Sequence, residues 1–217
     1  MHKLNIFRNV KPVIAIDGTA GSGKGTLAKK LSKKLEFNHL DTGLLYRIYA
    51  YESTKRINDN QIIIDIKKWF KKGRNLKVLR TEKISQIASR ISKLKYVRDS
   101  LITFQRSFAN NPPDGKGSVI DGRDIGTVIV PRAEIKFFVD AQIEIRASRR
   151  LEQLGLNSSY YDSTLKNMIE RDNEDSKRKI SPLKKSKDSF FLDTSNLSEK
   201  EVFEIAFNYI KSKTDFI

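Results

Sequence analysis

A lysine set among glycines, and arginines placed in several later stretches, are the side chains whose types and spacing suit phosphate chemistry. The lysine is Lys24, inside the run Gly18-Thr19-Ala20-Gly21-Ser22-Gly23-Lys24-Gly25-Thr26. Successive backbone N–H groups of such a loop can turn inward around a phosphate, and the positive end of a following helix adds to the attraction. Glycines at 18, 21, 23 and 25 let the backbone reach conformations closed to other residues and approach the oxygens closely. Lys24 would extend over the loop to the β- and γ-phosphates of a nucleoside triphosphate. A glycine turn that merely starts a helix is the plainer alternative, and the flanking strand and helix patterns argue against it.

A loop of this kind says that a triphosphate binds, and the arginines say more about the reaction it enters. Transfer of a phosphoryl group to a phosphate acceptor gathers several negative charges, so catalysis is largely positioning and charge stabilisation. An acceptor that is already ionised needs no general base. Arginines from separate segments are then expected, because their forked donors match phosphate oxygens two at a time. Arg47, Arg123, Arg171 and Arg178 form such a set. Arg171 and Arg178 share one face of a helix, with Asp175 between them. An ordinary Arg171–Asp175 surface pair at i,i+4 would explain that cluster alone, but beside Lys24 and Arg123-Asp124 a functional role is favoured. Asp121, at the end of an apolar run, could hold Mg²⁺ through its water shell or cap the next turn. Asp17, just before the loop, is open to the same two roles.

These residues must be positioned by regular elements. Val13–Ile16 reads as a buried strand, and Leu27, Ala28, Leu31 and Leu35 lie on one face of the helix after the loop. A short strand over 37–41 is followed by a helix capped by Asp41 or Thr42, with Arg47 on its first turns. Ile62, Ile63, Ile66, Trp69 and Phe70 suit an amphipathic helix ended by Lys71-Lys72-Gly73. Thr81 caps another, with Ile84, Ile87, Ala88 and Ile91 turned inward. Val97, Leu101, Phe104 and Phe108 make one stripe of a further helix. Strands are expected at 118–121, 135–139 and 190–192, with Gly122–Gly126 as a charged loop carrying two hinge glycines. An arginine-bearing helix runs through Arg146, Arg149 and Arg150, a polar helix covers 161–175, and Ser198 with Glu201 forms a capping box. Strands alternating with helices imply a parallel sheet covered on both faces.

A chain of 217 residues that is 38% hydrophobic fits one domain with a real core. The absence of cysteine excludes disulfides, thiolate metal sites and cysteine nucleophiles. No apolar run is long enough to span a bilayer, and the charged first residues lack the apolar centre of a secretory signal, so a cytoplasmic protein is expected. The net charge of +16 invites a nucleic-acid partner. The lysine pairs are spread along the chain without interleaved aromatics, so solvated helix faces are the favoured reading, with steering of anionic substrates as a by-product.

Together these residues resemble the bacterial cytidylate kinases. Gly25 stands where a hydroxyl residue commonly follows the P-loop lysine, and the resulting Gly-Lys-Gly-Thr ending is similar to that of nucleoside-monophosphate kinases. The matches run nearly end to end: Ile16 to Thr26, Leu40-Asp-Thr-Gly-Leu-Leu-Tyr-Arg47, Asp121-Gly-Arg-Asp-Ile-Gly-Thr127, and Glu170-Arg-Asp through Arg178. The third is much more particular to the family than the P-loop is. The resemblance implies an α/β fold: a three-layer P-loop core with a five-stranded parallel sheet, in a single domain over 1–217. It also implies a monophosphate-binding insert at 52–97, trimmed relative to typical members, and a short lid at 157–184. The implied reaction is transfer of the γ-phosphate of ATP, with Mg²⁺, to CMP or dCMP. Lys24, Arg123, Arg171 and Arg178 would be catalytic, with Arg171 as a lid arginine bridging donor and acceptor. Arg47, Arg123 and Arg178 would contact the acceptor phosphate and Asp175 its ribose. Thr42, Ser89, Arg98 and Asp124 would surround the cytosine, whose amine donor and ring acceptors suit a carboxylate beside arginine and serine. Asp193, Thr194 and Ser195 would lie beside the adenine of ATP. A monomer acting on small molecules, with no specific nucleic acid and no membrane, is the expectation.

Overall fold

The strand that leads into the glycine loop is the centre of the sheet. The computed structural model describes residues 11–55, 58, 61–63, 65–66 and 78–216. In it β1 (Val13–Gly18) is hydrogen-bonded on one side to β3 (Ser118–Gly122) and on the other to β4 (Ile135–Asp140). β2 (Asn38–Asp41) and β5 (Phe190–Asp193) complete an all-parallel sheet of order β2-β3-β1-β4-β5. A parallel sheet is buried on both faces, and its strands read as continuous apolar runs. β1 shows why: every residue is buried, with Val13 and Ala15 packing into one core and Ile14 and Ile16 into the other.

The helices form the two outer layers. α1 (Lys24–Leu35) and α7 (Glu199–Lys213) cover one face, through Leu27, Ala28, Leu31, Val202, Ala206 and Ile210. α2 (Thr42–Ser53) and α4 (Lys95–Asn110) cover the other, through Leu45, Ile48, Val97 and Leu101. Ile62 and Ile66 are buried in that second core, as the amphipathic pattern required, while Trp69, Phe70 and Lys71-Lys72-Gly73 lie outside the described residues. α3 (Glu82–Ile91) packs on α2 through Ile84 and Ala88 and begins at a Thr81 cap. α5 (Ile143–Leu154) carries the arginines and packs against α6 (Tyr161–Lys177). Among the described residues no helix is long and apolar enough to cross a membrane.

Local details refine the sequence reading. Asp41, not Thr42, caps α2: its carboxylate accepts from the N–H of Leu44, while the Thr42 hydroxyl donates to the carbonyl of Asp121 across the sheet. The capping box of Ser198 and Glu201 forms as expected. The stretch after β3 is not an open charged loop. Past Arg123 and Asp124 it tightens into a buried π-helical turn, Ile125–Ile129, whose Ile125 side chain enters the core. The short run Ile125-Gly-Thr-Val-Ile129 carries no helical period long enough to announce that turn from sequence.

Candidate active site

The ends of the central strands meet the starts of the helices, the edge of an α/β sheet where ligands bind. Gly18 must be glycine: with φ at +155°, a Cβ there would lie 1.9 Å from the carbonyl oxygen of Val139 on β4. Gly23, at φ +83°, is the left-handed residue from which α1 starts. Gly25 departs from the expectation of an unusual backbone, for it is an ordinary helical residue in the first turn of α1. Its lack of a side chain leaves room beside the Asp121 carboxylate, 3.7 Å from where a Cβ would be. Thr19 and Ser22 turn their hydroxyls inward, to Asp140 Oδ1 and to the carbonyl of Thr19. They shape the loop, and the Lys24 ammonium also donates to the Thr19 carbonyl, at 2.9 Å.

This loop forms one wall of a cleft of about 1130 Å³. Lys24 and Thr26 line it, and so do Thr42, Arg47, Ser89, Arg98, Asp121, Arg123, Asp124, Arg171, Asp175, Arg178 and Thr194. Asp193 and Ser195 do not line it. Their side chains bond to one another, and the Ser195 hydroxyl accepts from the N–H of Gln142. Thr194 joins loop to loop, donating its hydroxyl to the Ser22 carbonyl while Arg149 donates to both its hydroxyl and its carbonyl.

The arginines converge, though not as helix spacing suggested. Asp175 pairs with Arg123 at 2.9 Å, across 52 positions of sequence, and with Arg178 at 3.4 Å. No hydrogen bond joins it to Arg171. Burial pushes the Asp175 carboxyl up, but Arg123, Arg171 and Arg178 together outweigh that and hold it below the usual carboxylate range. Burial, with Arg123 next, draws Arg171 down to about 10 and Lys24 down to about 7. Arg171 Nε and Arg178 Nη2 are buried donors with no hydrogen-bond partner among the described residues. Orphaned buried donors are costly, and a multiply charged anion in the cleft would satisfy both.

A second polar cluster lies beside the first. Arg98 donates to Asp124 Oδ2 at 2.8 Å and to the hydroxyl of Tyr46 at 2.8 Å, with both members of the ion pair almost wholly buried. Arg178 reaches to within 4.0 Å of the other Asp124 oxygen. Burial raises the Tyr46 hydroxyl above its ordinary range, so it stays protonated.

Asp121 presents one oxygen to His39 Nε2 at 2.7 Å and the other toward Gly25. Burial lifts its carboxyl above the ordinary value. Asp17, the other carboxylate considered for a metal, is turned away from the cleft. Both its oxygens accept backbone N–H groups at 2.7 Å, from Ile125 and Gly126, which assigns it the structural role of the two weighed. Sequence reasoning attached no site role to Tyr46, Arg80, Arg149 and Arg150, which also line the cleft. Arg149 and Arg150 stood out as arginines of one helix, but nothing in their spacing told which way they faced. Arg146, on the same helix, spans the carbonyl of Ala20 in the glycine loop and Asp172 on α6, tying the loop to the helix that carries Arg171.

Known proteins resemble this chain over most of its length. The chain is similar to a cytidylate kinase from Paramagnetospirillum magneticum, with 42% identity over 93% of this chain and 98% of that protein. Similar proteins of the same name come from Rhodospirillum rubrum, 40% identical over 93% and 98% of the two chains, and from Bartonella bacilliformis, 42% identical over 89% and 92%. Among solved structures, an uncharacterized protein from Eubacterium ventriosum superposes with a TM-score of 0.56 at 19% identity, covering 93% of this chain and 99% of that one, a likeness of fold. Residues 14–212, which hold the glycine loop, the arginine cluster and the Arg98–Asp124 pair, match the family model described as cytidylate kinase, and the chain belongs to the cytidylate kinase family.

Proposed function

We propose that this protein transfers the γ-phosphate of ATP to CMP or dCMP, giving CDP or dCDP. The buried Arg98–Asp124 pair carries the choice of acceptor, because it opens into the same cleft as the glycine loop. An ionised carboxylate can accept from the exocyclic amine of cytosine, while the guanidinium and hydroxyl donors beside it suit the ring acceptors. Uracil, with a carbonyl in place of the amine, would face that carboxylate with a lone pair. A base-reading carboxylate that has lost its donor is left poorly satisfied, which is how polar sites discriminate strongly.

We assign the other cleft residues roles consistent with their place in its lining. Backbone N–H groups of the loop and Lys24 hold the donor phosphates, and Arg47, Arg123 and Arg178 hold the acceptor phosphate. Arg171, placed by α6, supplies charge between the two. Thr42 and Ser89 border the base, and Asp175 exchanges arginine contacts for the ribose of the nucleotide. Since the acceptor phosphate is itself the nucleophile, the enzyme's task is to hold two polyanions in line and to neutralise their charge. Asp121 fits a Mg²⁺ ion held through water, since its free oxygen faces the start of α1. Among the described residues no three acidic or histidine side chains gather into a metal site, so such an ion would be held jointly with the phosphates. When bound it supplies neutralisation of the β- and γ-oxygens. A panel of nucleoside monophosphates with ATP and Mg²⁺ tests the reading: CMP and dCMP are converted fastest, and preferential turnover of AMP or dTMP would sink it.

A further inference from the structure

Asp17 is a buried carboxylate that this chemistry leaves unused. It sits in β1, one residue before the glycine loop, with 4% of its surface exposed. In the sheet it lies opposite Gly122, the last residue of β3. Beyond Gly122 come Arg123 and Asp124, and then the π-helical turn Ile125–Ile129. The first N–H groups of any helical turn lack partners within it. The residue at the N-cap position ordinarily supplies one, and aspartate is among the best residues for that task. Here the N-cap residue is Asp124, and its side chain makes no capping bond. Its carboxylate faces Arg98 and Arg178 instead. The orphan N–H groups of Ile125 and Gly126 are both satisfied by Asp17, from 108 and 109 positions earlier in the chain.

We propose that Asp17 is a positioning residue for acceptor recognition: by capping the turn in place of Asp124, it frees the Asp124 carboxylate to read the acceptor base. The arrangement also fixes the acceptor-reading loop to the strand that launches the donor loop, so the two halves of the cleft share one anchor. Little else is free to do this. Gly126 is held close, since a Cβ there would come within 3.1 Å of Lys136 and 3.4 Å of Asp17 itself. The Thr42 hydroxyl holds the Asp121 carbonyl, three residues before Asp124, and leaves the N–H groups of the turn unaddressed. With one Asp17 oxygen replaced by an amide, a backbone N–H would face a second donor. Asp124 is the nearest carboxylate in sequence, and turning back to cap its own turn would withdraw it from Arg98.

The inference rests on the proposed function, and one set of measurements separates the two. Wild type, Asp17→Asn, Asp124→Asn and the double variant are assayed with CMP and UMP, and ATP affinity is measured on each. In the Asp17→Asn variant, kcat/KM for CMP falls about tenfold or more and the CMP-to-UMP ratio moves toward one. ATP affinity stays within about twofold, since the glycine loop keeps its own bonds. In the Asp124→Asn background the Asp17 substitution adds little to the loss of discrimination, because both act through one carboxylate. Where Asp17→Asn does not fold, Asp17→Ser retains a small acceptor and is read the same way. Unchanged discrimination, or losses that simply multiply in the double variant, would overturn the positioning role while leaving the kinase reading intact. Failure of the wild type to phosphorylate CMP would overturn both.

Discussion

Substitution of Asp175 by asparagine separates what the arginine cluster does for folding from what it does for phosphate. The carboxylate is the counter-ion for three guanidiniums, bonded to Arg123 at 2.9 Å and Arg178 at 3.4 Å and in the field of Arg171. Removing one partner of a buried ion pair costs about 3–5 kcal/mol, since the remaining charge stays buried without compensation. Asparagine keeps the shape and one acceptor, so the lower end, about 3 kcal/mol, is the better value. For a chain of this size each kcal/mol moves Tm by about 2–4 °C, which gives a fall of about 6–12 °C. Part of that loss is recoverable with an anion. In the wild type, phosphate must compete with Asp175 for the Arg123 and Arg178 donors. In Asp175→Asn the competing charge is gone, and a charge-assisted bond of about 1.5–3 kcal/mol no longer has to be broken. Inorganic phosphate therefore binds the variant about tenfold more tightly, and it raises the variant's Tm more than the wild type's at every concentration. Thermal melts over a phosphate titration, with chloride at matched ionic strength as control, measure both effects. Equal phosphate shifts in the two proteins would refute the claim that Asp175 and phosphate share these donors.

Three further outcomes rest on the same geometry. Arg123→Ala lowers kcat by about 100-fold or more, as loss of a charge-stabilising donor does; near-normal steady-state turnover would remove Arg123 from the mechanism. Gly18→Ala and Gly23→Ala should differ sharply in denaturant melts. A Cβ at Gly18 meets Val139 at 1.9 Å while one at Gly23 meets nothing within 4 Å, so Gly23→Ala costs only the left-handed strain of about 1–2 kcal/mol and Gly18→Ala costs more. Lys24, held near 7 against a usual 10.5, is mostly neutral at pH 8 and is charged by a bound triphosphate. ATP binding at pH 8 thus takes up a proton, visible by calorimetry in buffers of different ionisation enthalpy, and a binding heat independent of buffer would contradict it. The linked stability has a definite sign. Between about 7 and 10.5 the unfolded chain binds the extra proton, so Lys24 makes the free protein gain stability as pH rises through that window.

What was legible in the sequence divides along sequence separation. The glycine loop could be read because most of its pattern falls on neighbouring residues: a left-handed start at Gly23, a helix with Leu27, Ala28 and Leu31 inward, a strand of apolar residues before it. The demand at Gly18 is the exception, since Val139 on β4 sets it. The caps at Thr81 and Ser198 are local for the same reason. The arginines could be named as phosphate ligands by type, yet their pairing could not. Helix spacing offered Asp175 to Arg171, and the fold gave it to Arg123, because the end of β3 delivers that guanidinium to the same point from another layer. Arg80, Arg149 and Arg150 drew no site role because in a chain with 42 lysines and arginines a basic residue carries almost no information until its direction is known. Asp17 is the sharpest case. Its neighbours in sequence place it next to a phosphate loop and so suggest a metal, whereas its partners, fixed only when β1 and β3 pair, are two backbone N–H groups with no side-chain signature at all. A carboxylate that acts on another carboxylate by relieving it of a capping duty can be recognised only when both ends of the turn are in view.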